Sequence, residues 1–555
     1  MKYSLSVLLS GLLLLLFTND HVHGQTNDPT VKINTKPVQH KDHAGKIRFS
    51  ANPIKIDESA SADFLEHYVF TNKSNLFISV SLEKPLADFL RLLAPDLPTD
   101  SLAKIGNYQF SFYVDDQAIY QTNLLPGVPT PAQQQKEITW SRPLIDNQHE
   151  GGLWTQSAWN RFMYNGGDSV LTDGKHLLRI ELRPYVQTTQ LQVGEIIASG
   201  ELALQVNRNP IIHMEGIHLS PVKPYKELGV STEKVHLDKI RELKARIEAD
   251  AFKHITSVVV LKKGKILIEE YFNGASRDSL HDVRSVGKSF ASTLTGMAIN
   301  EGYLKSEDQT LKEFYDLKAH NHYVDAKANV SLKDLLTMSS RFNGDDDDLT
   351  SPGNEEHMYP TDDWVKFTLD LPMDTIKYTG QWHYFTAGVM LLGNTLHKLI
   401  PEGLDHYAET KLFGPLNITN YQWQYTPQQV VSTAGGIRMN ALDLAKYGQL
   451  YQNNGNWFGK QLIPASWINK TFTKHNAIPD SEGEYYGYLF WNKTYRSAGK
   501  SYETFYCSGN GGNKIFVFRD QPLVVVITAT AYGQGYAHRQ ADEIIEKFII
   551  PAVMD

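Results

Sequence analysis

A chain of 555 residues can hold two or more domains with substantial cores, at roughly 100–200 residues per domain. The formal net charge of −8 is modest for that length and the basic residues are scattered, which gives no argument for a nucleic acid partner. The single cysteine, Cys507, rules out an intramolecular disulfide, so the cores must hold the fold.

In chain order, residues 1–24 carry Lys2, an apolar run over 5–17, and Val22-His-Gly24 before Gln25, the pattern of a signal peptide. The expectation is a mature chain starting near Gln25 and a periplasmic or secreted protein. The run is shorter than the roughly 18–20 residues a spanning helix needs, and no later run reaches that length, so no membrane span is expected. A polar, flexible arm should follow to about Gly45.

Short alternating or aromatic runs at 67–70, 76–82, 108–114, 177–182 and 202–206 read as strands. They predict a β-rich, sandwich-like N-terminal domain over 25–224, of unassigned role. Trp154, Trp159 and Tyr164 near paired glycines could form an exposed aromatic platform for sugar or peptidoglycan; core packing is the plainer reading. Pro221, Pro224 and Gly229 mark a linker.

Beyond it, Leu237, Ile240, Leu243 and Ile247 predict an amphipathic helix, 257–272 a glycine-bearing hairpin, and 517–528 a late hairpin before a closing helix. Residues 225–555 therefore read as an α+β domain with helices packed on an antiparallel sheet. The acidic run 345–348 is expected to be a solvated loop, with calcium a poor second. His40 with His43, and His320 with His322, lack companion ligands at suitable spacing, so no metal and no cofactor is expected.

The chemistry concentrates around Ser285 and Lys288. Three residues apart at the start of a helix, they place a hydroxyl and an amine one turn apart on one face. A serine hydroxyl is barely ionised near neutrality, and a buried lysine can serve as its base. The S-x-x-K spacing occurs six times, at Ser81, Ser101, Ser220, Ser231, Ser285 and Ser497, so spacing alone does not choose. Context favours Ser285, because a strand hairpin precedes it and Phe290, Leu294 and Met297 continue as a buried helix. The bland reading is a capping serine beside a solvated lysine.

Ser285-Val-Gly-Lys288, Tyr384-Phe-Thr386 and Cys507-Ser-Gly-Asn510, in that order, resemble the three motifs of the penicillin-recognising serine hydrolases. Within them the likeness is to the class C β-lactamase-like group, which includes esterases, D-amino-acid peptidases and 6-aminohexanoate-oligomer hydrolases. It extends over 229–555. The resemblance implies an acyl-enzyme on Ser285, with Lys288 and Tyr384 sharing the proton and the ammonium stabilising a tyrosine phenolate. It also implies an oxyanion hole from the N–H groups of Ser285 and Asn510, and substrate contacts at Thr386, Cys507, Ser508 and Gly509.

Two departures bear on substrate. Thr386 stands where the family has asparagine, and Cys507 where it has a lysine or histidine, which points away from penicillins and toward small esters, amides or D-amino-acid peptides. As a nucleophile itself, Cys507 lacks an obvious histidine partner. The alternative class is an exported, non-catalytic protein that keeps the fold and binds a cell-wall or carbohydrate ligand. Oligomeric state is not legible in the sequence.

Overall fold

The computed structural model describes residues 43–55, 64–126, 128–147, 154–479, 481 and 483–554. The expected signal peptide, and all but the end of the expected polar arm, lie outside the described residues.

Nine strands make up the N-terminal sheet: β1 (Lys46–Ser50), β2 (His67–Phe70), β3 (Leu76–Ser81), β4 (Gly106–Val114), β5 (Gln117–Asn123), β6 (Thr139–Ile145), β7 (Gly174–Gln187), β8 (Leu191–Val193) and β9 (Ala198–Val206). Their order is β5-β4-β7-β9-β1-β3-β6, with β2 pairing β9 and β8 pairing β7. The β-rich region is as expected: β1-β3-β6 joins the other strands through the single pair Lys46–Ser199 between β1 and β9. Helices supply further apolar cover. In the helix Trp154–Phe162 the buried Trp154, Ala158, Trp159 and Phe162 recur at helical spacing on one side. Phe162 stacks on Phe112 at 4.7 Å and Trp154 meets Trp140 edge-on at 5.0 Å. Both tryptophans are therefore core residues, and of the three candidate platform aromatics only Tyr164 is exposed.

The second sheet has eight antiparallel strands. Its order is Lys265–Tyr271, Ile255–Lys262, Leu523–Ala529, Asn513–Phe518, Lys500–Gly509, Trp491–Ser497, Tyr485–Tyr486 and Asn476–Ala477. The first hairpin closes through Lys263 and Gly264, both at positive φ (53° and 73°), the backbone that a tight two-residue turn between twisted strands requires. One face of this sheet carries the helix Leu237–Glu248 and the closing helices from Ala537 onward, packed through Ile240, Leu243, Ile544 and Phe548. The other face carries Gly287–Asn300, Thr386–Leu399 and Ala441–Gln452. Gly287–Asn300 is buried continuously from Gly287 to Ala298, with Phe290 stacked on Tyr447 at 4.0 Å. A helix apolar or small on all sides belongs in the middle of a core, and it delivers its N-terminus to the end of the strand Lys500–Gly509.

The two sheet regions touch beside that N-terminus. Gln534 donates to Asn160 Oδ1 at 2.7 Å, and Arg539 pairs with Asp168 at 3.1 Å. The described residues belong to one compact unit.

Candidate active site

Ser285 sits in a single 3-10 turn, Arg284–Val286, that runs directly into the helix Gly287–Asn300. Arg284, just before it, is held at φ 52°, a left-handed conformation that costs a non-glycine residue free energy and survives only where the surroundings impose it. One turn on, Lys288 is 1 % exposed. Its Nζ donates to Ser285 Oγ at 2.7 Å and to the Ala434 carbonyl at 2.6 Å. A solvated lysine is thereby excluded: this amine is buried, and one of its acceptors is the serine hydroxyl.

Tyr384 arrives from the other side, two residues before the helix Thr386–Leu399. Lys288 Nζ lies 5.1 Å from its ring centroid, beside the Ser285 hydroxyl that the same amine holds. Trp491 stacks on the ring at 5.8 Å. Burial pushes the phenol above its ordinary value; the nearby Lys288 ammonium pulls it back without cancelling that. The resting side chain is thus a phenol, not the phenolate that the resemblance implied.

The third segment explains its own glycines. A Cβ on Gly509 would stand 2.0 Å from the Val283 carbonyl oxygen and 3.1 Å from the Ser285 nitrogen, so only glycine lets this strand end lie against the nucleophile's turn. Asn510 follows directly. Its Oδ1 accepts from Gly533 N at 2.8 Å and its carbonyl from Asn513 Nδ2 at 2.9 Å, which fixes its backbone beside the turn.

The other implied substrate contacts are not brought to the cleft. Cys507 is 1 % exposed and packs in the core among Ser289, Tyr447, Tyr451 and Tyr486; burial pushes its thiol up to about 12, so it is neutral and no nucleophile. The strand alternation that turns Cys507 inward turns the half-buried Ser508 toward His538, 3.5 Å away. Thr386 is wholly buried, its N–H donating to Asp346 Oδ2 at 2.7 Å.

Asp346 is the residue that sequence reasoning missed. Its N–H donates to the Tyr384 carbonyl at 2.9 Å, and its carboxylate accepts from the Thr386 and Glu355 amides at 2.7 and 2.8 Å. It therefore ties the tyrosine segment to the helix Glu355–Met358. Within the run 345–348 nothing in the sequence says which of four identical carboxylates turns inward. Burial, with the like charge of Glu355 adding, raises Asp346 to about 7, while the Thr386 bonds and Lys288 oppose.

That shift fixes a sign. An unfolded aspartate releases its proton near pH 3.9, whereas native Asp346 holds it to about 7, so in that window the folded state binds more protons and stability falls as pH rises. Asp346→Asn should flatten the decline in melting temperature between about pH 4 and 7. Parallel curves for the two proteins would show that this carboxyl does not titrate there.

A helix-flanked antiparallel sheet, with the serine at the head of a buried helix and beside a strand end, is the fold of the β-lactamase-like hydrolases. A family model described as Beta-lactamase matches residues 245–547, and the chain belongs to that family. It is 24 % identical over 244 residues to the 6-aminohexanoate-dimer hydrolase of Paenarthrobacter ureafaciens, a match that covers 41 % of this chain and 59 % of that relative's length. Among solved structures it is similar to an octameric penicillin-binding protein homologue from Pyrococcus abyssi (17 % identity, 56 % of this chain and 76 % of that one, TM-score 0.45). A D-stereospecific amidohydrolase from Streptomyces is also similar (17 % identity, 52 % and 92 %, TM-score 0.41).

Proposed function

We propose that the protein is an exported serine hydrolase that cleaves ester or amide bonds in small substrates through an acyl-enzyme on Ser285. The observation that carries this is the buried Lys288 amine 2.7 Å from Ser285 Oγ, with the Tyr384 ring centroid 5.1 Å from the same amine. A retired binding protein would have no use for so costly an arrangement of buried polar groups. The buried Trp154 and Trp159 give no platform for a carbohydrate. Export rests on the leader pattern of residues 1–24.

In the first half-reaction Ser285 Oγ attacks the carbonyl carbon and its proton passes to the Lys288–Tyr384 pair. The developing oxyanion takes the N–H groups of Ser285 and Asn510. Collapse breaks the ester or amide bond, and the pair returns the proton to the departing alkoxide or amine. Water then repeats the cycle on the acyl-enzyme. The pair can accept a proton only after losing one, so turnover should rise with pH above neutrality.

The argument for neutral substrates drawn from Cys507 lapses, because that side chain faces the core. What remains is the class: small esters, amides or D-amino-acid peptides. Mixing the enzyme with excess 4-nitrophenyl butyrate should release a burst of nitrophenol stoichiometric with active sites, then a slower steady rate. A linear release from the first turnover, with the steady rate unchanged by an added alcohol acceptor, would argue against an accumulating acyl-enzyme.

A further inference from the structure

The loop 531–535, which follows the strand Leu523–Ala529, touches both backbone donors of the oxyanion site. Ala531 bridges to Gly511, the residue after Asn510, and the Gly533 N–H donates to Asn510 Oδ1 at 2.8 Å. Tyr532 donates from its hydroxyl to the Asp282 carbonyl at 2.9 Å, and the Arg284 guanidinium stands 4.5 Å from its ring centroid. One short segment therefore braces Asn510 and the turn that leads into Ser285.

That segment has little stiffness of its own, because two of the four residues Tyr532-Gly-Gln-Gly535 are glycines. What it lies against is the N-terminal sheet region. Gln534 Nε2 donates to Asn160 Oδ1 at 2.7 Å, and among the described residues this is the one hydrogen bond that the Gln534 side chain makes. A Cβ on Gly533 would stand 3.1 Å from Asn160 Nδ2 and one on Gly535 3.0 Å from the Tyr164 ring, so the glycines let the loop approach closely. Just beyond it, Arg539 pairs with Asp168 at 3.1 Å, and Asp168 is itself held by Arg208 at 2.6 Å. The anchor is firm, since Asn160 rides on the helix Trp154–Phe162, whose Trp154, Ala158, Trp159 and Phe162 are fixed in the core.

We propose that Asn160 is a positioning residue for the hydrolysis: through Gln534 it holds the loop 531–535, and with it the Asn510 N–H, in place against Ser285. The N-terminal region is then part of the catalytic unit. This rests on Ser285 as the nucleophile and Asn510 as its oxyanion donor.

Two readouts on the full chain test it: steady-state hydrolysis of 4-nitrophenyl butyrate, and inhibition by butaneboronic acid, which bonds to a serine oxygen and carries an oxygen where the oxyanion forms. Asn160→Leu keeps the side-chain size and removes the acceptor. It should lower kcat about tenfold with KM within twofold, short of the 10²- to 10³-fold that outright loss of an oxyanion donor costs. The boronic acid Ki should rise by a similar factor, whereas a smaller active fraction would lower kcat and leave Ki where it was. Gln534→Ala should do the same, the double variant should be little worse than the worse single, and Asn160→Asp, which keeps the acceptor, should restore most of both values. Should Asn160→Leu fail to fold, Gln534→Ala decides alone, its side chain being a half-buried one on a loop. An unchanged Ki, with or without a fall in kcat, in protein that still takes a fluorophosphonate on Ser285 would overturn the proposal and leave the nucleophile in place. Wild type that neither turns over the ester nor takes the fluorophosphonate would remove the Ser285 assignment and this inference together.

Discussion

Ser285→Ala is expected to lower ester turnover by several orders of magnitude and leave a folded protein. Loss of a nucleophile removes the covalent route, and what survives is the contribution of binding and the oxyanion donors, roughly 10³- to 10⁴-fold over water in the serine proteases studied this way. Little structural cost is expected, since the side chain is small and half-buried and Lys288 keeps the Ala434 carbonyl as an acceptor. The five other serines with a lysine three residues on supply the control. Ser220 Oγ donates to Glu270 at 2.9 Å, and Ser231 Oγ accepts from Glu233 N at 3.2 Å, both structural roles. Among the described residues Ser285 alone of the six receives its own motif's lysine. Turnover should therefore survive alanine at Ser81, Ser101, Ser220, Ser231 and Ser497. Loss at any of these in a folded protein, or retention in Ser285→Ala, would move the nucleophile elsewhere.

The second large effect lies in the pair that handles the proton. Lys288→Ala and Tyr384→Phe should each cut kcat strongly, with the double variant little worse than the worse single, because groups acting as one unit are not additive. Lys288 donates to Ser285 and its ammonium bears on the Tyr384 phenol, so removing either leaves the other without its task. The pH profile gives a second reading. Burial holds the Tyr384 phenol above its ordinary value, so the proton-accepting form of the pair becomes more populated as pH rises. The wild-type rate should climb toward alkaline pH, and Tyr384→Phe should shift that limb. Independent, multiplicative losses in the cycle, with an unshifted limb, would mean that the two side chains serve separate steps.

Much of this was legible before any coordinates. Ser285 and Lys288 could be singled out among six S-x-x-K spacings because a strand hairpin and a buried helix frame them, and Tyr384 could be reached only through the resemblance to the family's second motif. The strands at 67–70, 76–82, 108–114, 177–182 and 202–206 showed through alternation or through aromatic and β-branched residues, the latter where both faces are buried, as in Leu76–Ser81. The strands Lys46–Ser50, Gln117–Asn123 and Thr139–Ile145 did not show, because polar residues and Pro143 break their patterns. How the strands join is set by long-range pairing, such as the single Lys46–Ser199 pair between β1 and β9, which no local pattern announces. The direction a side chain faces was the other gap. Cys507 aligned with a substrate-binding position, yet the pleat turns it into the core, while Asp346, hidden in an acidic run, turns inward to cap the helix behind Tyr384.

The most direct test of the central claim is to treat the protein with a serine-directed fluorophosphonate, digest it, and locate the adduct by mass spectrometry. A single adduct on Ser285, slowed in Lys288→Ala and absent in Ser285→Ala, is the predicted result. An adduct on any other residue, or none in folded protein that turns over esters, would contradict it.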